Sequence, residues 1–145
     1  MNAGEILLVE DNPDDAELTR LAFAEANVPN PLVVVRDGAE ALDYVFARGG
    51  WAHRDPSRQP ALVLLDLNLP KLDGREVLQA IRADTRTRAL PVVVLTTSVE
   101  PLDLDASYAL GVNSYIRKPV DFDQFVSAVR QVVQYWLVLN QPRSA

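Results

Sequence analysis

Ala61-Leu62-Val63-Leu64-Leu65-Asp66-Leu67-Asn68-Leu69-Pro70 runs five apolar residues into a carboxylate and then turns. An unbroken apolar run of this length, opened by Pro60, reads as a strand buried on both faces, the pattern of a central strand in a parallel sheet. A carboxylate at the end of such a strand is costly to bury unless a cation, a donor or a chemical role accompanies it. Asp66 is therefore the first residue to explain. Asn68-Leu69-Pro70 turns the chain and ends the strand.

The frame around Asp66 is a chain of 145 residues, 48% hydrophobic, which fits one domain spanning 1–145 with one core. It has no cysteine, so disulfides, thiolate metal sites and cysteine nucleophiles are excluded. The opening Met1-Asn2-Ala3-Gly4 precedes only four apolar residues, too few for a signal-peptide core or a membrane span. A cytoplasmic protein without membrane attachment is expected. The formal net charge of −6 argues against a nucleic-acid partner, because phosphate contacts need clustered Lys and Arg.

Outward from the central strand the chain alternates. Ile6-Leu7-Leu8-Val9 is a second apolar run and ends in Glu10-Asp11-Asn12-Pro13-Asp14-Asp15, with four carboxylates in six residues. A helix capped by Asp14 or Asp15 follows, with Leu18, Leu21, Ala22 and Phe23 at helical spacing until Asn27-Val28-Pro29-Asn30-Pro31. Leu32–Val35 is a third strand, and Asp37-Gly38 opens a short helix marked by Ala41, Leu42, Val45 and Phe46. Arg48–Pro60 reads as a polar loop. Beyond the central strand, Asp73-Gly74 leads a helix with Val77, Leu78 and Ile81 on one face. Val92–Leu95 forms a strand closed by Thr96-Thr97-Ser98, and a weaker helix spans roughly Leu104–Leu110. Ser114–Arg117 is a short strand, Lys118-Pro119 a turn, and Asp121 to about Leu139 a long last helix. Five strand and helix pairs imply an α/β parallel sheet covered on both faces, with right-handed crossovers. Sites in such sheets form at the carboxyl ends of the strands, where Glu10, Asp11, Asp66, Thr96 and Lys118 fall.

Three carboxylates from two strand ends repel one another unless a cation sits among them. With oxygen ligands alone and no His or Cys near in sequence, Mg²⁺ suits the set. Lys118 adds a point charge and Thr96 a hydroxyl, which together suit a phosphoryl group, and an aspartate can be the nucleophile that receives it. Glu10 and Asp11 could instead be a solvated helix-capping cluster, the reading taken for Asp14 and Asp15. Lys118 could be a turn residue and Thr96 a strand-end hydroxyl; His53, alone in the polar loop, reads as a surface residue.

Glu10-Asp11, Asp66 with Asn68-Leu69-Pro70 and Asp73-Gly74, Thr96, and Tyr115 with Lys118-Pro119 together resemble the receiver domain of bacterial two-component response regulators. The match covers about residues 5 to 137. The resemblance implies a flavodoxin-like (βα)5 three-layer sandwich with strand order 2-1-3-4-5. It implies Asp66 as phosphoacceptor, with Glu10, Asp11, Asp66 and the Asn68 backbone carbonyl around Mg²⁺. Lys118 is implied on the phosphoryl oxygens, Thr96 as the switch hydroxyl and Tyr115 as the aromatic that follows it. Ser114 and Val120 depart from the family's frequent Gly and Phe. The Arg48–Pro60 loop, Leu95-Thr96-Thr97-Ser98 and the ending Tyr135-Trp136-Leu137 are similar to the small regulators paired with bacterial phytochromes. That resemblance implies a histidine kinase partner and no enzymatic turnover beyond self-directed phosphotransfer and autodephosphorylation; with only about eight residues after the last helix, no output domain is expected.

Two other classes stand beside this one. A haloacid-dehalogenase-like phosphatase uses a strand-end aspartate with Mg²⁺ but needs a second aspartate two residues on, where this chain has Asn68. A flavodoxin-like or nucleotide-binding module needs a Gly-rich loop after the first strand, and none is present. In the last helix Phe125, Val129, Val132 and Trp136 form one core stripe, while Phe122, Val126, Val133 and Leu137 widen it beyond one face. That edge is expected to lie at a symmetric homodimer interface built from the fourth helix, fifth strand and fifth helix.

Overall fold

Ile6 and Leu8 point to one side of their strand and Leu7 and Val9 to the other, and all four are buried. In this computed structural model, which describes residues 4–66, 74–96, 114–117 and 121–139, that strand is β1 (Ile6–Val9). It pairs in parallel with both β2 (Leu32–Val35) and β3 (Leu62–Asp66). β4 (Val92–Thr96) and β5 (Ser114–Arg117) extend the sheet to the order β2-β1-β3-β4-β5. The order reverses between β1 and β3. Around that switch point an α/β sheet opens a crevice at the carboxyl ends of its strands.

Helices cover both faces. α1 (Pro13–Glu25) and the C-terminal helix (Phe122–Gln134) share a core with Ile6, Leu8, Leu62, Leu64, Val93 and Leu95. α2 (Gly38–Phe46) and α3 (Gly74–Ala83) share the opposite core with Leu7, Val9, Val63, Leu65, Val92 and Val94. The α/β class, the flavodoxin-like architecture and the alternating residue sets thus agree with the sequence reading. The helix expected near Leu104–Leu110 and the Lys118-Pro119 turn lie outside the described residues.

Four details depart from expectation. α1 is capped by Asn12, not by Asp14 or Asp15: the Asn12 side chain accepts the backbone N–H groups of both, and Pro13 opens the helix. Leu21 is 52% exposed, and Thr19 takes the buried stripe position beside Ala16, Ala22 and Phe23. The hydroxyl of Thr19 donates to the Asp15 carbonyl at 2.9 Å, so its polarity is satisfied inside the helix and its methyl is free to pack.

The third departure concerns the last helix. Val126, Val133 and Leu137 are buried in the chain's own core at 5%, 8% and 4% exposure, and Phe122 packs against that core. The edge expected to need a partner's cover already has it. The reason is rotational: the stripe is centred on Phe125, Val126, Val129 and Val133, and Val132 and Trp136 are its half-buried flank. The final turn, Tyr135–Leu139, widens to a π-helix and carries Leu137 inward.

The Arg48–Pro60 segment is also more ordered than a polar loop suggests. A 3₁₀ turn, Gly49–Trp51, follows α2, and Gly49 holds φ +57, where an added Cβ would meet the Asp43 carboxylate at 2.6 Å. The Arg54 guanidinium stacks over the Tyr44 ring at 3.8 Å and donates to the Tyr44 carbonyl. Trp51 meets Tyr44 edge-on at 4.8 Å.

Candidate functional site

The register of β1 against β3 sets Val9 beside Leu65, so the next residues, Glu10 and Asp66, leave adjacent strands at the same level. Both are nearly buried, at 2% and 7% exposure, and Asp11, one residue on, is exposed. Carboxylate oxygens of Glu10, Asp11 and Asp66 lie within 4.8 Å of one another. The strand ends place these side chains because the flanking runs, Ile6–Val9 and Leu62–Leu65, are apolar on both faces and fix the register.

Local hydrogen bonds shape the acidic loop that follows β1. Glu10 donates its backbone N–H to Val35 at 3.0 Å, tying the end of β1 to β2. Its side chain accepts the Asn12 N–H at 3.3 Å, while Asn12 caps α1. Glu10 is thus held by the turn it begins, and Asp11 projects at the rim.

The donor set is all oxygen. The chain has no cysteine, and its one histidine, His53, lies on the exposed surface of the Arg48–Pro60 segment. A hard divalent cation fits three clustered carboxylates of which two are desolvated, since it cancels their mutual repulsion and tolerates remaining water ligands. A solvated capping cluster does not describe Glu10, which is buried, while Asp11 is exposed and the capping work falls to Asn12.

Of the residues singled out in the sequence, Glu10, Asp11 and Asp66 are brought together. The backbone of Thr96 follows Leu95, the partner of Asp66 across β3 and β4, and itself pairs with Arg117 in β5, two residues beyond the pairing of Val94 with Tyr115. The side chains of Thr96 and Tyr115, and the whole of Asn68 and Lys118, lie outside the described residues. Sequence reasoning missed Arg20 and Arg36, which line a cleft of about 330 Å³ together with Glu10 and Asp11. No motif marks them, because the cleft forms only when α1 and β2 meet beside β1.

A family model, the response regulator receiver domain, matches residues 6–130. The probable methanogenesis regulatory protein FilR2 of Methanothrix harundinacea (strain 6Ac) is 44% identical over 136 residues, covering 94% of this chain and 85% of that protein. The response regulator Rcp1 of Synechocystis sp. is 39% identical over 132 residues, 91% of this chain and 88% of Rcp1. The crystal structure of the Mn²⁺-bound form of Rcp1 superposes with a TM-score of 0.85 over 97% of this chain and 99% of that one. The phosphorylated cyanobacterial phytochrome response regulator RcpA is 43% identical, with a TM-score of 0.88 over 99% of this chain and 100% of that one.

Proposed function

We propose a function from one premise: this chain belongs to the response regulator receiver domain family. It acts in phosphorelay signalling, receiving a phosphoryl group on Asp66 from the phosphohistidine of a histidine kinase, one coupled to a bacterial phytochrome. The observation that carries this reading is the meeting of Glu10, Asp11 and Asp66 within 4.8 Å at the carboxyl ends of β1 and β3. Mg²⁺, held there by those three carboxylates and the Asn68 carbonyl, supplies neutralising charge for the phosphoryl oxygens when bound.

The chain's own residues do the rest. A carboxylate oxygen of Asp66 attacks phosphorus, the P–N bond to the donor imidazole breaks, and the imidazole leaves with its electron pair. Glu10 and Asp11 hold the site's charge in place, and Lys118 meets the phosphoryl oxygens. Thr96 and Tyr115 carry the change to the face formed with β5. Phytochrome coupling is supported by RcpA and by the resemblance of the Arg48–Pro60 loop and chain ending. The chain is not an enzyme acting on other substrates, and it works in the cytoplasm; hydrolysis of its own aspartyl phosphate ends the signal.

Intact-mass spectrometry after incubation with acetyl phosphate and Mg²⁺ tests the acceptor. One added phosphoryl group is expected, absent without Mg²⁺ and absent in Asp66→Asn. Labelling that survives Asp66→Asn places the acceptor elsewhere.

A further inference from the structure

The cleft beside the acidic cluster has a second sign of charge. It is about 330 Å³ in volume and is lined by Glu10 and Asp11 together with Arg20 and Arg36. Arg20 is partly neutralised, its Nε lying 3.7 Å from Glu17. Arg36 is different: among the described residues no carboxylate lies within ion-pair distance of its guanidinium.

The backbone of Arg36 is fixed with unusual care for an exposed strand-end residue. Its N–H donates to Glu40 Oε1 at 2.9 Å, while Asp37, the α2 cap, accepts the Glu40 N–H at 2.8 Å, a reciprocal arrangement of the capping-box kind. The other Glu40 oxygen accepts the Trp51 indole N–H at 3.2 Å. Glu40 is thereby held from both sides, and the ordered Arg48–Pro60 segment braces the turn that presents Arg36.

Electrostatics gives that presentation a purpose. Three carboxylates with a divalent ion leave the cluster one negative charge, so it offers a dianionic phosphoryl donor no long-range attraction. We propose, resting on the phosphoacceptor reading above, that Arg36 steers anionic phosphoryl donors to Asp66 and that Arg20 assists it. Glu40 and Trp51 are positioning residues for Arg36. A positive charge at the cleft raises the local potential, and with it the rate of encounter with an anion. The same guanidinium weakens the binding of a cation, so the two effects of removing it have opposite signs. The transferred group's chemistry is unchanged: with acetyl phosphate, the bond from Asp66 to phosphorus forms as the P–O bond breaks and acetate leaves.

The test compares two small donors, acetyl phosphate, a dianion at neutral pH, and phosphoramidate, a monoanion, on the full chain with saturating Mg²⁺. At low salt Arg36→Gln should slow labelling by acetyl phosphate about two- to fivefold, as expected for one charge near the path in water. Phosphoramidate should be slowed less, and the difference should vanish near 1 M salt, where charges are screened within about 3 Å. Calorimetric titration should show Mg²⁺ bound more tightly by Arg36→Gln, and Arg36→Lys should keep the parent's rate and salt dependence. Equal slowing of both donors, or a loss in Arg36→Lys as large as in Arg36→Gln, makes Arg36 structural and overturns the steering. So does an Arg36→Gln protein with the parent's rates. Labelling that persists in Asp66→Asn strikes the acceptor reading instead, so the two failures are distinguishable.

Discussion

Asp11 differs from Glu10 and Asp66 in one respect that sets its role: it is exposed while they are buried. An exposed carboxylate costs little to leave uncompensated, whereas two neighbouring buried carboxylates gain most from a cation between them, so Asp11 contributes affinity without being the reason for the site. Asp11→Asn removes one ligand charge and keeps a neutral oxygen of the same shape. We expect calorimetric Mg²⁺ affinity to fall about tenfold or more, with the thermal midpoint unchanged within a degree or two, because no buried contact is lost. Equal Mg²⁺ affinity in Asp11→Asn and the parent takes Asp11 out of the ligand set. At this scale the sequence was fully legible for Glu10, Asp11 and Asp66, since each ends or follows an unbroken apolar run. It was silent on Arg36, whose importance comes from a cleft shared by residues 10 and 36 that no local pattern records.

Among the elements, β1, β3 and β4 were readable because a strand buried on both faces has no polar alternation to misread. Helix faces were less so. Thr19 hides a stripe position, which its hydroxyl permits by bonding within its own helix, and Leu21 exposes an apolar one. The segment after α2, a polar loop in sequence, takes its order from contacts distant in sequence. The Tyr44 hydroxyl donates to Glu5 at 2.8 Å across 39 residues, and Arg54 lies 3.6 Å from the same carboxylate. Burial, and then the hydrogen bond to Glu5, push the Tyr44 hydroxyl from its ordinary 10.0 up to about 12. The raised value means the folded state holds the proton more tightly than the unfolded one. Tyr44 therefore contributes stability that is complete below pH 10 and lost as the pH rises through about 12. Tyrosinate absorbance, taken as the difference between parent and Tyr44→Phe, should show a midpoint near 12 that moves down in Glu5→Gln. A Tyr44 midpoint near the ordinary value in the folded parent contradicts the Glu5 contact.

For the whole molecule, the two cores account for the breadth of the apolar arc on the last helix. Counted along the sequence, Phe122, Phe125, Val126, Val129, Val132, Val133, Trp136 and Leu137 span more of the helix circumference than a surface helix usually buries. What one sequence cannot show is how deep the groove is that receives the helix. Here α1 and one face of β1, β3 and β4 form it, and it takes in Val126, Val133 and Leu137 as well as Phe125 and Val129. The side left exposed is marked by Tyr135, 46% exposed, whose ring lies 4.9 Å from that of Trp136. The double change Val126→Arg with Leu137→Arg then places two unpaired charges in a core. Its expected effect is loss of folding, on the order of 4 kcal/mol or more for each charge, seen as a vanished cooperative urea transition. Tyr135→Arg, on the exposed side, should fold with the parent's transition midpoint within about 0.5 kcal/mol. Light scattering separates the readings: a double variant that folds with the parent's stability and half the parent's mass returns this edge to an interface. An unfolded double variant beside a folded Tyr135→Arg assigns it to the core.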